Sequence, residues 1–169
     1  MKDKKHILVA PLNWGLGHAT RCIPIIRALL DQNYEVTIAS DGAALSLLQK
    51  EFSSLNSIEL PSYNITYPEK GSKFIRHMLK MAPQILKAVR AEHTLLKKLI
   101  LELDLDGVIS DNRLGLYTKK IPTAYITHQV TVLSGKTTKL STLLHKYILT
   151  NTLNAGFLIL KVKNHLAEF

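Results

Sequence analysis

The sequence has little cysteine, few acidic residues and no long apolar run. Its single cysteine, Cys22, excludes an intramolecular disulfide and a cysteine-rich zinc site, as is common in a reducing cytosol. No stretch approaches the ~18 apolar residues of a membrane-spanning helix. The apolar run Ile7 to Leu12 is too short for a secretory signal and is broken by Pro11. We therefore expect a cytoplasmic protein without a metal or another cofactor.

Acidic residues number 13 against 22 lysines and arginines, which gives a formal net charge of +9. Such a balance indicates either a solvated basic surface or attraction to phosphates, in nucleotides or in anionic lipid headgroups. Nucleic acid is not expected as a partner, because the chain has no helix-turn-helix, zinc-finger or aromatic single-strand motif. Hydrophobic residues make up 46% of the 169 residues, which is enough for the core of one folded domain.

Short apolar runs alternate with helix-like segments along most of the chain. Strands are predicted over His6 to Pro11, Glu35 to Ala39, Ile58 to Leu60, Gly107 to Ser110 and Thr123 to Thr127. Helices are predicted over His18 to Leu30, from the cap Asp41 to about Lys50, over Lys73 to Leu101 and over Lys139 to Leu149. This order is typical of an α/β fold: a Rossmann-like three-layer sandwich whose parallel sheet has the first strand at its centre. In such folds ligands bind beyond the carboxyl ends of the strands.

The strongest motif follows the first strand, where a glycine-containing loop leads into a helix that opens with His18. Glycines in the loop allow a tight turn and a close approach of a ligand to the backbone. The helix N-terminus favours an anion or a developing oxyanion. The candidate substrate-binding residues of this loop are Asn13, Trp14, Gly15 and Gly17.

A dinucleotide-binding loop is the alternative interpretation of the same motif. The spacing Gly15-x-Gly17-x-x-Thr20 lacks the third glycine of that fingerprint. Asp41, however, lies near the distance at which a ribose-binding acid would fall. An NAD-dependent oxidoreductase domain is therefore one alternative function, and a non-catalytic Rossmann-like binding domain is another.

The loop resembles the first loop of GT-B glycosyltransferases. In UDP-glycosyltransferases it ends in Gly-His or a similar pair, and the lipid-linked N-acetylglucosaminyltransferase of peptidoglycan synthesis has a glycine-rich loop that also ends in Gly-His. Gly17-His18 stands in that place here, and the order of elements agrees through about Leu149. The resemblance implies that residues 1–150 are the N-terminal, acceptor-side domain of an enzyme that transfers a sugar from a nucleotide-sugar donor, such as a UDP-sugar, to a hydroxyl acceptor. It also implies that the C-terminal, donor-binding domain is missing.

The resemblance further implies two catalytic residues. His18 stands where UDP-glycosyltransferases carry the base that deprotonates the acceptor, a role suited to a side chain that titrates near neutral pH. Asp111, after the fourth strand, stands where they carry the acid that orients this base. A helix-starting histidine that contacts only backbone and a turn aspartate are the structural alternatives. The neighbouring Asn112 is a candidate substrate contact.

A third segment follows the fifth strand. Peptidoglycan-type enzymes carry His-Glu-Gln-Asn there, which helps to shape the acceptor site. This chain has His128-Gln129 and lacks the Glu and the Asn, so only His128 and Gln129 are carried over as candidate acceptor contacts. A plain polar loop is the alternative interpretation.

The helix from Lys73 to Ile100 sets apolar side chains against basic ones. This pattern predicts a core-facing helix with a solvated basic side. The alternative is a face that contacts the inner surface of the membrane, which would suit a lipid-linked acceptor.

The tail from Asn151 to Phe169 shows no family resemblance in its own frame. A reading frame one base earlier across Asn154 to Lys163 can encode Glu-Cys-Trp-Val-Pro-Asp-Phe-Glu-Gly-Lys, which is similar to what relatives carry at this point. Residues 151–169 are therefore interpreted as a truncated or frame-shifted tail.

Overall fold

The computed structural model describes residues 4–64, 74–127 and 157–161, and it describes the side chains of all of these except 74–79 and 157–161. These residues form a parallel sheet and three helices. In chain order the elements are β1 His6–Pro11, α1 Gly17–Asp31, β2 Glu35–Ser40, α2 Gly42–Glu51, β3 Asn56–Glu59, α3 Phe74–Glu102, β4 Gly107–Asp111, β5 Thr123–Thr127 and β6 Phe157–Lys161.

The described part of the sheet has six strands in the order β3-β2-β1-β4-β5-β6, and every neighbouring pair is parallel. Val9 in β1 lies opposite Ile38 in β2 on one side and Ile109 in β4 on the other. Strands that are covered on both faces are apolar at successive positions, which explains the run in β1. The sheet is parallel and β1 lies in its interior, as the sequence predicts.

Alternate side chains of the strands enter two separate cores. On one face Leu8 and Val108 pack with Leu96 and Leu99 of α3. The opposite core contains Val9 and Ile38 together with the following residues of α1 and α2: Ala19, Cys22, Ile26, Ala44, Leu45 and Leu48. The sheet therefore lies between two helical layers, and the predicted three-layer Rossmann-like α/β sandwich is confirmed.

Helix α3 is amphipathic over the part whose side chains are described. Met81, Ala88 and Leu96 are buried, whereas the exposed side carries the following lysines and arginine: Lys80, Lys87, Arg90, Lys97 and Lys98. This is the arrangement of a core-facing helix with a solvated basic side. Across the described ranges, no helix combines the length and the apolar character needed to span a bilayer.

Several element boundaries differ from the sequence prediction by one or two residues; β3, for example, spans Asn56–Glu59 rather than Ile58 to Leu60. One segment also adds an element. Asp111 is the last residue of β4 rather than the residue after it, because β4 pairs with β1 up to Pro11. β6 lies in a segment to which the sequence analysis assigned no element, and it pairs with β5 from Phe157 opposite Thr123 to Lys161 opposite Thr127. The predicted helix over 139–149 lies outside the described residues.

A buried arginine connects the carboxyl ends of the strands. Arg113 follows β4 and is 0% exposed. Its Nε donates to Oε1 of Glu92 in α3 at 2.6 Å, and its Nη1 donates to Oδ1 of Asp41 after β2 at 2.7 Å. Its Nη2 donates to the carbonyl of Pro61 after β3 at 2.8 Å. Asp41 precedes α2 at the predicted cap position but makes no side-chain cap bond, since Arg113 holds one of its oxygens.

Tyr63 completes this group. Its hydroxyl donates to Oε2 of Glu92 at 2.6 Å and accepts from the backbone N–H of Leu114 at 3.0 Å, while the N–H of Gly115 also donates to Oε2 at 3.1 Å. Burial raises the pKa of Glu92, but Arg113 and these donors stabilise its carboxylate. Burial and the Glu92 charge raise the pKa of Tyr63, which keeps its phenol protonated as a donor. Every charged group of the cluster therefore has a partner, as burial requires.

Replacement of Leu96 by alanine should lower the free energy of unfolding by about 2–5 kcal/mol, because it opens a cavity where a fully buried side chain packs. The matched control is Leu101→Ala on the same helix, at a side chain that is 75% exposed. That change should stay within about 0.5 kcal/mol of the parent chain. Urea denaturation followed by circular dichroism measures both, and equal losses would contradict the core assigned to α3.

Tyr63→Phe should lower the free energy of unfolding by about 1–3 kcal/mol, because it removes a donor to Glu92 and the acceptor of the Leu114 N–H from a buried site. Tyr34→Phe is the control, since its ring is half-buried and its hydroxyl makes no hydrogen bond to the described residues. Thermal denaturation compares the two variants, and a neutral Tyr63→Phe would show that the cluster does not depend on the phenol.

Candidate active site

The candidate site lies at the carboxyl ends of β1 and β4, which are neighbours in the sheet. Pro11 lies opposite Asp111 in the β1–β4 register, and the N–H of Leu12 donates to the carbonyl of Asp111 at 2.9 Å. The loop after β1 then leads into α1, which begins at Gly17. The first turn of α1 is therefore placed beside the last residue of β4.

His18 and Asp111 meet at this edge although 93 positions separate them in the sequence. The imidazole Nδ1 lies 3.1 Å from Oδ1 of Asp111. Both side chains are buried, at 6% and 0% exposure. With the proton on Nδ1, the ring donates to this carboxylate, which fixes the orientation of the imidazole.

Arg21 is the third member of the site, and the sequence analysis did not single it out. Its Nε donates to Oδ2 of Asp111 at 3.0 Å and its Nη2 donates to Oδ1 at 3.0 Å. The same Nη2 lies 2.8 Å from Nδ1 of His18. Arg21 is three positions after His18, a spacing that places both side chains on one face of a helix. This spacing is the sequence signal that could have identified Arg21 as part of the site.

Asn13 is held by internal contacts that brace the first loop. Its Nδ2 donates to Oδ2 of Asp41 at 3.3 Å, and its Oδ1 accepts from the backbone N–H of Ala44 in α2 at 3.3 Å. Asp41 thus accepts from Asn13 on one oxygen and from Arg113 on the other. The buried network around Arg113 therefore reaches the loop that precedes His18.

The other candidates in the first loop have different surroundings. Trp14 is half-buried and packs against a small apolar cluster that includes Leu12 and Tyr63. Gly15 has φ of +73°, a left-handed conformation that side chains disfavour. A Cβ added at Gly15 or Gly17 would meet no atom within 4 Å, so the described residues leave space above both glycines.

The remaining candidates lie after β4 and β5. Asn112 has φ of +59°, and its N–H donates to the carbonyl of Ile126 at 3.1 Å, which turns the chain directly after Asp111. His128 and Gln129 lie outside the described residues. Within the ranges that are described, no group of three or more His, Cys, Asp or Glu side chains is arranged to hold a metal ion.

No protein-family model matches the chain. A protein of Methanosarcina mazei described as an uncharacterized glycosyltransferase is 32% identical to it over 122 residues, which cover 68% of this chain and 31% of that protein. The chain thus spans about a third of the length of the curated relative it matches.

Two solved structures extend the comparison to the fold. UGT2 of Phytolacca americana, in complex with UDP-2fluoro-glucose and pterostilbene, aligns with a TM-score of 0.53 and 17% identity over 75% of this chain and 32% of that one. MurG of Acinetobacter baumannii aligns with a TM-score of 0.50 and 14% identity over 83% of this chain and 39% of that one. The chain therefore has the fold of the N-terminal domain of GT-B glycosyltransferases, and its sequence is related to that of a glycosyltransferase.

Proposed function

We propose that the chain is the acceptor-side part of a glycosyltransferase, in which His18 is the general base and Asp111 its orienting partner. The observation that carries the proposal is the 3.1 Å contact between His18 Nδ1 and Asp111 Oδ1 at the carboxyl edge of the sheet. The sequence relative and the fold support the reaction class. The contact supports these two residues as its chemical centre, because ligands of parallel α/β sheets bind at this edge.

The proposed proton transfer depends on which imidazole nitrogen of His18 carries the proton. With the proton on Nδ1 and donated to Asp111, Nε2 holds the lone pair that can accept a proton. Nε2 takes the hydroxyl proton of the acceptor while the acceptor oxygen bonds to the anomeric carbon of the donor sugar. The bond from that carbon to the nucleotide diphosphate breaks, and the diphosphate leaves with the bonding electrons. Asp111 stabilises the imidazolium that forms.

We propose a UDP-sugar as the donor. One fold neighbour was solved with UDP-2fluoro-glucose, which supports this nucleotide for the class. The loop before α1 supports the approach of an acceptor, because the described residues leave space above Gly15 and Gly17. His18 is only 5% exposed, so the acceptor hydroxyl must reach a ring that is nearly closed off from solvent.

The dinucleotide alternative depended on Asp41 as a ribose-binding acid. Oδ1 of Asp41 accepts from the buried guanidinium of Arg113, and Oδ2 accepts from Asn13. Both oxygens are therefore engaged inside the protein, and a ribose would have to displace one of these donors. This arrangement favours the glycosyltransferase over the oxidoreductase.

His18→Ala should lower turnover about 10²–10⁴-fold, because it removes a positioned base. The measurement is UDP release from UDP-sugars with a panel of hydroxyl acceptors. It is made on the chain and on a chimera in which the chain replaces the matching segment of the Methanosarcina mazei relative. His93→Ala is the matched control, since that ring stacks on Tyr117 at 4.4 Å and has no contact with the dyad. A His18→Ala chimera with parental turnover would overturn His18 as the general base, whereas a folded parent chimera without turnover would favour the non-catalytic binding domain.

Asp111→Asn should lower turnover less than His18→Ala does. It removes the negative charge that orients the imidazole and stabilises the imidazolium, but His18 remains as the base. The same chimera and the same UDP-release assay measure it. Circular dichroism and urea denaturation establish that both variants are folded. A larger loss in Asp111→Asn than in His18→Ala, with both proteins folded, would contradict the assignment of His18 as the base.

A further inference from the structure

Asn13 lies in the loop between β1 and α1, and its side-chain amide makes two hydrogen bonds to the start of α2. Oδ1 accepts from the backbone N–H of Ala44 at 3.3 Å, and Nδ2 donates to Oδ2 of Asp41 at 3.3 Å. Ala44 is the third residue of α2, and the N–H groups of a first turn have no partner within their own helix. Asn13 therefore caps α2 from a loop that precedes Ala44 by 31 positions.

This cap from another segment replaces the one that Asp41 would ordinarily provide. Asp41 is the residue before α2, and its side chain makes no capping hydrogen bond. Oδ1 of Asp41 accepts instead from the buried guanidinium of Arg113 at 2.7 Å, and Oδ2 accepts from Asn13. Asparagine is among the side chains that best cap a helix N-terminus, because its short amide presents an oxygen to the free N–H groups. The burial of Arg113 thus leaves the capping of α2 to Asn13.

Gly42, the first residue of α2, provides an independent indication that the position of Asn13 is specified. Its φ is +51°, a conformation that side chains disfavour. A Cβ at residue 42 would also lie 2.4 Å from Nδ2 of Asn13 and 3.3 Å from its Cγ. The start of α2 therefore has no side chain at the place where the amide of Asn13 lies.

We propose that Asn13 is a positioning residue: it fastens the loop of residues 12–17 to α2 and so fixes where α1 begins, and with it His18. The loop is also held to β4 at Leu12, whose N–H donates to the carbonyl of Asp111 at 2.9 Å. Since β2 and β4 flank β1 on opposite sides, the two attachments hold the loop from both directions. The inference rests on the proposed function for its catalytic meaning, whereas the cap is a property of the chain itself.

The first test measures turnover in the chimera with the Methanosarcina mazei relative, with each rate divided by the folded fraction from circular dichroism. Asn13→Ala should lower kcat about 10–100-fold with little change in KM, because the base is displaced while the substrate contacts remain. Gly42→Ala should lower kcat as well, since its Cβ displaces the Asn13 amide. The double variant should match Asn13→Ala alone, because that collision needs the Asn13 side chain.

Ala43→Gly is the matched control for a weakened α2. This residue is exposed, and glycine there adds backbone freedom to the helix while both bonds of Asn13 remain, so kcat should stay at the parental value. Losses that multiply in the Asn13→Ala, Gly42→Ala double variant would overturn the positioning role. So would a raised KM for the acceptor at parental kcat in Asn13→Ala, with parental turnover in Gly42→Ala, which would make Asn13 a substrate contact.

Hydrogen exchange followed by NMR on the 169-residue chain tests the cap without turnover. In Asn13→Ala the N–H of Ala44 should exchange about fivefold faster or more, because it loses its acceptor. The N–H of Ile38 in β2 should exchange as in the parent chain. Unchanged exchange at Ala44 in the folded variant would overturn the proposal. A folded parent chimera without turnover would contradict the proposed function instead, and the exchange rates would still report the attachment of the loop.

Discussion

The burial of one guanidinium is the constraint on which the carboxyl edge of this sheet depends. Arg113 is fully buried, so each of its donors must find an acceptor inside the protein, and unpaired burial would be strongly unfavourable. The acceptors come from the ends of β1, β2 and β3 and from α3: the carbonyls of Pro11 and Pro61 and the carboxylates of Asp41 and Glu92. One side chain thereby fixes the relative positions of segments that are far apart in the sequence.

The candidate site uses the edge that this network holds in place. Asn13 connects Asp41 to the first loop, and that loop delivers His18 to Asp111. Both oxygens of Asp111 accept from Arg21, and Oδ1 also lies 3.1 Å from Nδ1 of His18. The site is therefore electrostatically balanced, with one buried anion between a permanent cation and a titratable ring.

Much of the fold was predictable from the sequence, because its signals are local. The apolar runs of β1 and β5 were placed with their observed bounds, and α3 was placed within one residue at each end. β6 was not predicted, because residues 151–169 were interpreted as a truncated or frame-shifted tail. The segment nevertheless carries the apolar run Phe157 to Leu160, the same local signal that predicts the other strands.

The sequence by itself determined the order of elements, the parallel sheet and two candidate residues at the ends of β1 and β4, because hydrophobic periodicity and a Gly-His pair after a strand are readable along the chain. Only the tertiary structure decided that Arg21 shares Asp111 with His18 and that Asp41 is engaged by Arg113. The reason is physical: partners of a buried charge are chosen by proximity in the fold. Arg21 and Asp111 are 90 positions apart, and Arg113 and Asp41 are 72, so neither contact leaves a pattern in the sequence.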